Sequence, residues 1–287
     1  MRRSRDRFPV KLLAPLLILT ALVWAAPLLY SFYLAFSDAT PGSAGRFIGL
    51  ANFARAFQDA RFWHALWVST VFALGVVFFN VSGGLMLAVV FRRHFKERSM
   101  AQVALLLPWV LSELAVAQVW RGFLDENTGL VNMLVVWMGG AALPWRTNGV
   151  WAMISLWIAS LWRGLAFSTM LQMAGLASLP EHLIHAAKLD GANRLMILRA
   201  VVWPHLRRVL AANALLVFLM AMVTFSLPFA LTGGGPLFDT EVVALYTYRT
   251  AFTSNFNLGY AAAQGMLVLC AYTLLTLVLL RVRRSAQ

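Results

Sequence analysis

The sequence predicts an all-α, polytopic membrane protein with six transmembrane helices. Three observations carry this reading. Of the 287 residues, 61% are hydrophobic and only 12% charged, against about 45–50% and about 25% in soluble domains. Uncharged or nearly uncharged runs long enough to cross a bilayer, which needs about 20 residues, recur along the chain. Basic residues fall in short clusters between those runs rather than on one polar domain, so the net charge of +13 fits membrane topology better than nucleic-acid binding. The single cysteine, Cys270, lies in an apolar run and excludes a disulfide framework or a thiol metal site.

The predicted spans cover residues 12–36, 64–91, 99–123, 149–174, 209–231 and 258–280 of a single domain, residues 1–287. The first follows "RRSRDR" and exceeds the apolar core of a secretory signal, about 7–15 residues. Pro27 after "WAA" also makes a poor cleavage site, so a retained anchor is expected. Glu113 interrupts the third span and Arg163 lies inside the fourth, about 14 residues or roughly 21 Å from its start. Seventeen of the 24 cations fall on one side: Arg2, Arg3, Arg5, Arg7 and Lys11, then the clusters at 92–98, 188–208 and 281–284. By the positive-inside rule that side is the cytoplasm, and both termini lie there. Three loops, residues 37–62, 124–148 and 232–257, then face outward, each long enough to present a docking surface.

Polar side chains inside a membrane bundle are costly unless they pair or meet a ligand. Asn80, Glu113, Gln118, Arg163, Gln172, Thr224 and Ser226 are such residues. Glu113 is the only acid within a predicted span, which makes it the natural partner of Arg163. A bundle-locking pair is the plainer reading, a cargo contact the sharper one.

The segment of residues 175–208 contains "HLIHAAKLDGANRLMILRAVVWPHLRR". Pro180 and Glu181 suit a first helical turn, Asp190-Gly191 breaks the helix, and a second helix is expected to stop at Pro204. A plain connection needs only about 2–8 residues. From the residues alone, an amphipathic helix resting on lipid and a knob docked in a protein partner are equal readings. Glu181, His182 and His185 offer helix-spaced metal donors, but a third ligand is missing, since His64, His94 and His205 are scattered.

This stretch resembles the coupling loop of permease subunits in binding-protein-dependent ABC importers. Ala186-Ala187 stand for the family's alanines, Asp190-Gly191-Ala192 for its central triplet, and Pro204 for its terminal proline. "AGLASLPEHL", "LLLPWVLSELAVAQVWRGFL", "LWRGLAF" and "LTGGGPLFDTEVVALYTYRTAF" resemble the sugar-permease branch, closest to the first permease of carbohydrate and glycerol-phosphate systems of the maltose type. The chain departs from the pattern at His185, where the family has Glu, and at Leu198 and Trp203. Glu181, one turn earlier, is a candidate replacement for the lost acid.

The resemblance implies a transport subunit of the bacterial cytoplasmic membrane, not an enzyme. Its expected partners are a second permease, two cytoplasmic ATPase subunits that bind ATP and Mg²⁺, an extracytoplasmic solute-binding protein, a sugar or related polyol, and the lipid bilayer. No nucleic acid, metal or cofactor is expected on this chain, which has no Gly-x-x-x-x-Gly-Lys-Ser/Thr loop; "TGGGP" reads as a turn. The resemblance assigns ATPase coupling to His185, Ala186, Ala187, Asp190, Gly191, Ala192 and Pro204. It places the cargo path on the helices flanking that loop, at Gly164, Phe167, Met220, Ala221 and Thr224, to which the intramembrane polar residues Arg163 and Glu113 are added as candidates. An amino-acid or peptide importer is the alternative cargo class, and a membrane-embedded enzyme the more distant one.

Overall fold

The computed structural model describes residues 8–92, 95–254 and 256–285. Arg2, Arg3, Arg5, Arg7, Arg93 and His94, which entered the orientation and metal readings, lie outside the described residues. In chain order the helices are α1 (Phe8–Ala35), α2 (Ala51–Gln58), α3 (Ala60–Phe91), α4 (Arg98–Val110), α5 (Glu113–Phe123), α6 (Leu130–Trp137), α7 (Gly149–Ala177), α8 (Glu181–Leu189), α9 (Arg194–Ile197), α10 (Trp203–Met222), α11 (Ser226–Leu231), α12 (Val243–Phe252) and α13 (Leu258–Ser285). Five of these are long and apolar enough to cross a bilayer, or six when the bent pair α4 and α5 counts as one span. An all-helical, multi-span architecture is therefore observed.

The chain divides into two compact units, residues 1–62 with 247–287 and residues 63–246. In the first, α13 packs on α1 and α2. Asn52 is buried and donates its side-chain amide to the carbonyls of Ala35 (3.0 Å) and Ser37 (2.8 Å), fixing α2 to the end of α1. The hydroxyl of fully buried Tyr260 donates to Asp59, and the Arg55 guanidinium lies 4.3 Å from the centre of the Tyr260 ring. These contacts satisfy polar groups that apolar surroundings would otherwise penalise.

In the second unit, α7 is the central strut, packing on α4, α5, α10 and α11. Two side chains bolt it to α3: Trp157 Nε1 donates to the Phe72 carbonyl (3.1 Å), and Gln172 Nε2 to that of Val81 (3.0 Å).

Two predicted spans are broken rather than continuous. The expected span 99–123 bends by 101° between α4 and α5. Pro108 lies in the last turn of α4 and cannot donate to the Ala104 carbonyl. Leu111 and Ser112 then turn extended, and the Ser112 hydroxyl caps α5 by accepting the Ala115 N–H. The expected span 209–231 is likewise α10, an interruption at Val223–Phe225, and α11. Pro228 has no N–H to donate to the Thr224 carbonyl, so the ladder fails just there.

A third difference concerns Pro204, which does not end a helix. It sits in the first turn of α10, and helical structure runs from Arg194 to Met222 through a π-helical turn at Leu198–Val202. The wider turn, in which the Trp203 N–H bonds the Leu198 carbonyl, gives the Pro204 ring room beside the preceding carbonyls. The segment without long helix between α7 and this continuous run is residues 178–193, interrupted by α8.

Candidate functional site

The breaks and the central strut converge on one cavity of about 340 Å³ within the second unit. Irregular backbone at membrane depth is tolerated where it lines such a space. α7 contributes Ser160, Arg163, Gly164 and Phe167, spaced so that all four share one helix face. α3 contributes Phe72, Val76 and Asn80, and α10 contributes Val217, Met220 and Ala221. The interruption after α10 adds Val223, Thr224 and Phe225, α11 adds Ser226 and Leu227, and Trp109 and Glu113 enter from either side of the α4–α5 bend.

All seven cargo-path candidates, Glu113, Arg163, Gly164, Phe167, Met220, Ala221 and Thr224, line this cavity. Of the other polar candidates, Asn80 and Ser226 line it too. Gln118 is exposed outside the lining, and Gln172 is buried against α3. Trp109, Ser160 and Phe225 were not singled out in the sequence. For Ser160 the signal existed, since it lies three residues before Arg163 on the same helix face. Trp109 and Phe225 depend on helix breaks that hydropathy does not reveal.

Arg163 Nη1 lies 3.4 Å from Glu113 Oε1, and its Nε donates to the Leu111 carbonyl at 3.2 Å. The guanidinium thereby satisfies both the acid and a carbonyl left unpaired by the bend. Asn80 is 1% exposed; its Nδ2 donates to the Val76 carbonyl (3.0 Å), while its Oδ1 has no protein partner. A β-carbon placed on Gly164 would lie 2.6 Å from that oxygen. Glycine at 164 is therefore what lets α7 close on Asn80.

The coupling-type segment is ordered by ordinary helix-end chemistry. The Gly191 N–H bonds the Lys188 carbonyl (3.1 Å) and the Ala192 N–H the Ala187 carbonyl (2.9 Å), with Gly191 at φ +76°. This is a Schellman closure of α8, which glycine adopts without steric cost. Asn193 then caps α9 by accepting the Met196 N–H at 2.9 Å. Inward, Ile184, Ile197 and Val202 pack with Ala88, Leu176, Leu179, Leu206 and Leu210 in one apolar cluster joining α3, α7 and α10. Outward, Leu183, Leu189, Leu195, Met196 and Trp203 are exposed. His185, Ala186, Asp190, Gly191 and Pro204 are exposed as well, with Ala187 and Ala192 half-buried. Among the described residues no three His, Cys, Asp or Glu side chains gather as a metal site.

The loop from α5 to α7 is held by two acids and an amide. Asp125 accepts the backbone N–H groups of Thr128 (3.0 Å) and Asn127 (3.1 Å) and the Thr128 hydroxyl. Those bonds, foremost that from the Thr128 backbone, hold its carboxyl below its ordinary value, with Arg146 adding to them. Burial pushes Glu126 up, but the amides of Arg146 and Thr147, the Thr147 hydroxyl and the Arg146 charge together bring it below its usual range. Buried Asn132 donates to the carbonyls of Glu126 and Leu143 and accepts from the Leu143 N–H and the Trp145 indole.

Residues 97–285 match the family described as the binding-protein-dependent transport system inner membrane component. A probable ABC transporter permease protein, y4oQ of Sinorhizobium fredii, is 32% identical over 91% of this chain and 85% of its own length. The sulfoquinovosyl glycerol transport system permease protein SmoG of Agrobacterium fabrum is 28% identical, covering 96% and 90%. The trehalose/maltose transport system permease protein MalF of Thermococcus litoralis is 26% identical, covering 96% and 94%. Among solved structures, a chain of a bacterial alginate ABC transporter, in complex with an alginate pentasaccharide-bound periplasmic protein, superposes with a TM-score of 0.83. It has 21% identity and covers 96% of this chain and 93% of its own, a likeness of fold. With two thirds of its length inside the family match and a relative of this identity along most of the rest, the chain belongs to the inner-membrane permease subunits of binding-protein-dependent ABC transporters.

Proposed function

We propose that this permease passes a saccharide or related polyol through the cavity at its two helix breaks. The observation that carries the reading is the lining itself. Phe72, Trp109 and Phe167 line it together with the hydroxyl-bearing Ser160, Thr224 and Ser226, the mixture of apolar walls and few polar groups that suits small-molecule sites and the two faces of a sugar ring. The cargoes in the names of SmoG and MalF support the same class.

In this reading the chain assembles with a second permease that completes the path, two ATP-binding subunits below and a solute-binding protein outside. His185, Ala186, Ala187, Asp190, Gly191, Ala192 and Pro204 lie on the segment that meets the ATPase, with both termini on the same, cytoplasmic side. The exposed Leu183, Leu189, Leu195 and Met196 supply apolar contact area. The inward cluster makes the segment move with α7 and α10 as a body.

The test is ATP hydrolysis and uptake by the reconstituted assembly, with its solute-binding protein and a saccharide panel. Stimulation by at least one saccharide is expected. Stimulation by amino acids or peptides instead would replace the cargo class, and uptake that survives ATP depletion would overturn the mechanism.

A further inference from the structure

We infer that the cargo is uncharged, because the cavity holds one cation and this chain has already neutralised it. The inference rests on the saccharide reading above and narrows it. Among the described residues lining the cavity, Glu113 and Arg163 are the only ionisable ones. They face each other at 3.4 Å, and the guanidinium also serves the Leu111 carbonyl. A carboxylate or sulfonate entering this space would find Arg163 engaged and a second anion, Glu113, beside it. Like charges at such a distance repel in surroundings drier than water, and drawing Arg163 away would leave Glu113 without its counter-ion. A neutral polyol gives up only its water hydrogen bonds, which Ser160, Thr224 and Ser226 replace.

The contrast with the relatives is instructive. The names of two similar proteins carry anionic cargoes, the sulfonated sulfoquinovosyl glycerol and the acidic polysaccharide alginate. A third names the neutral sugars trehalose and maltose. Overall likeness therefore does not set cargo charge, and the ion pair on this chain's cavity wall is the local feature from which the charge is inferred. Glu113 acts here as the residue that sets specificity by occupying the guanidinium.

The experiment uses the full assembly in proteoliposomes with its own solute-binding protein. Neutral mono- to pentasaccharides are compared with the same saccharides oxidised at C6 to uronates. The wild type is expected to prefer a neutral member over its uronate by at least about tenfold, and Glu113→Gln, which frees the guanidinium, to reduce that preference about tenfold. Should Glu113→Gln fail to assemble, Ser160→Arg adds an unpaired cation to the same wall and is expected to shift the ratio in the same direction. Preference for the uronate overturns the inference and leaves the saccharide reading standing. An unchanged ratio in both variants places the charge filter elsewhere and also overturns it. Stimulation by neither series sinks the saccharide reading itself.

Discussion

Glu113 and Arg163, fifty residues apart in sequence, meet at 3.4 Å where a bent helix crosses a straight one. Each is a little under a third exposed, so the pair sits between a surface bridge and a buried one. A double-mutant cycle with Glu113→Ala and Arg163→Ala, read by thermal melting in detergent, is expected to give a coupling of about 1–2 kcal/mol. A coupling near zero would mean that the two side chains only share a neighbourhood.

Gly164 and Asn80 offer a steric test. Gly164→Ala drives a methyl group onto Asn80 Oδ1, and overpacking of this kind costs about 1–3 kcal/mol. Asn80→Ala removes the obstacle, so the double variant is expected to melt higher than Gly164→Ala alone. Additive losses would show that the crowding is relieved some other way.

Gly191 is a backbone prediction rather than a packing one. Nothing lies within 4 Å of a β-carbon placed there, but φ is +76°. Gly191→Ala should therefore cost roughly 1–2 kcal/mol of local order, and Gly191→Asn less. Gly191→Trp should abolish uptake while membrane insertion stays normal, because a bulky side chain would stand in the docking surface. Uptake at the wild-type rate by Gly191→Trp would refute the coupling assignment.

The loop from α5 to α7 should respond to acid in one direction. Asp125 and Glu126 are both held below their ordinary values of 3.8 and 4.5. A depressed carboxyl contributes stability that is complete above its unfolded value and disappears as pH falls through the folded one. Hydrogen exchange across residues 125–148, corrected for intrinsic rates, should stay flat from neutrality to about pH 4.5 and rise below that. Asn132→Ala should raise it already at neutral pH, since one side chain holds four bonds. A rise confined to alkaline pH would contradict the network.

Much of this was legible beforehand. The helices at 12–36, 64–91 and 258–280 follow from apolar runs without Asp, Glu, Lys or Arg, that at 149–174 from a run broken only by Arg163, and the Gly191 turn from a Gly beyond the end of a short helix. Arg163, Gly164 and Phe167 share a face by simple periodicity, which is why three of the cavity residues came together as expected. What escaped was the effect of proline at a distance. Pro108 and Pro228 look like tolerable members of long apolar stretches, yet each lacks the N–H that would continue the ladder, and the helix breaks near the cavity beside each of them. Pro204 misled in the other direction: the expected stop became a first-turn proline, because a single π-helical turn absorbed the crowding.

The interruption at Val223–Phe225 has a mechanical consequence. The Val223 and Thr224 N–H groups there bond the Ala221 carbonyl rather than residues four back, so pivoting α10 about that point disturbs fewer regular helical bonds than flexing it anywhere along Trp203–Met222. A push delivered at the far end of α10 would then be released at this one soft joint. The joint carries Thr224 and borders the cavity, so a rod jointed beside the passage would convert displacement below into a change of grip above.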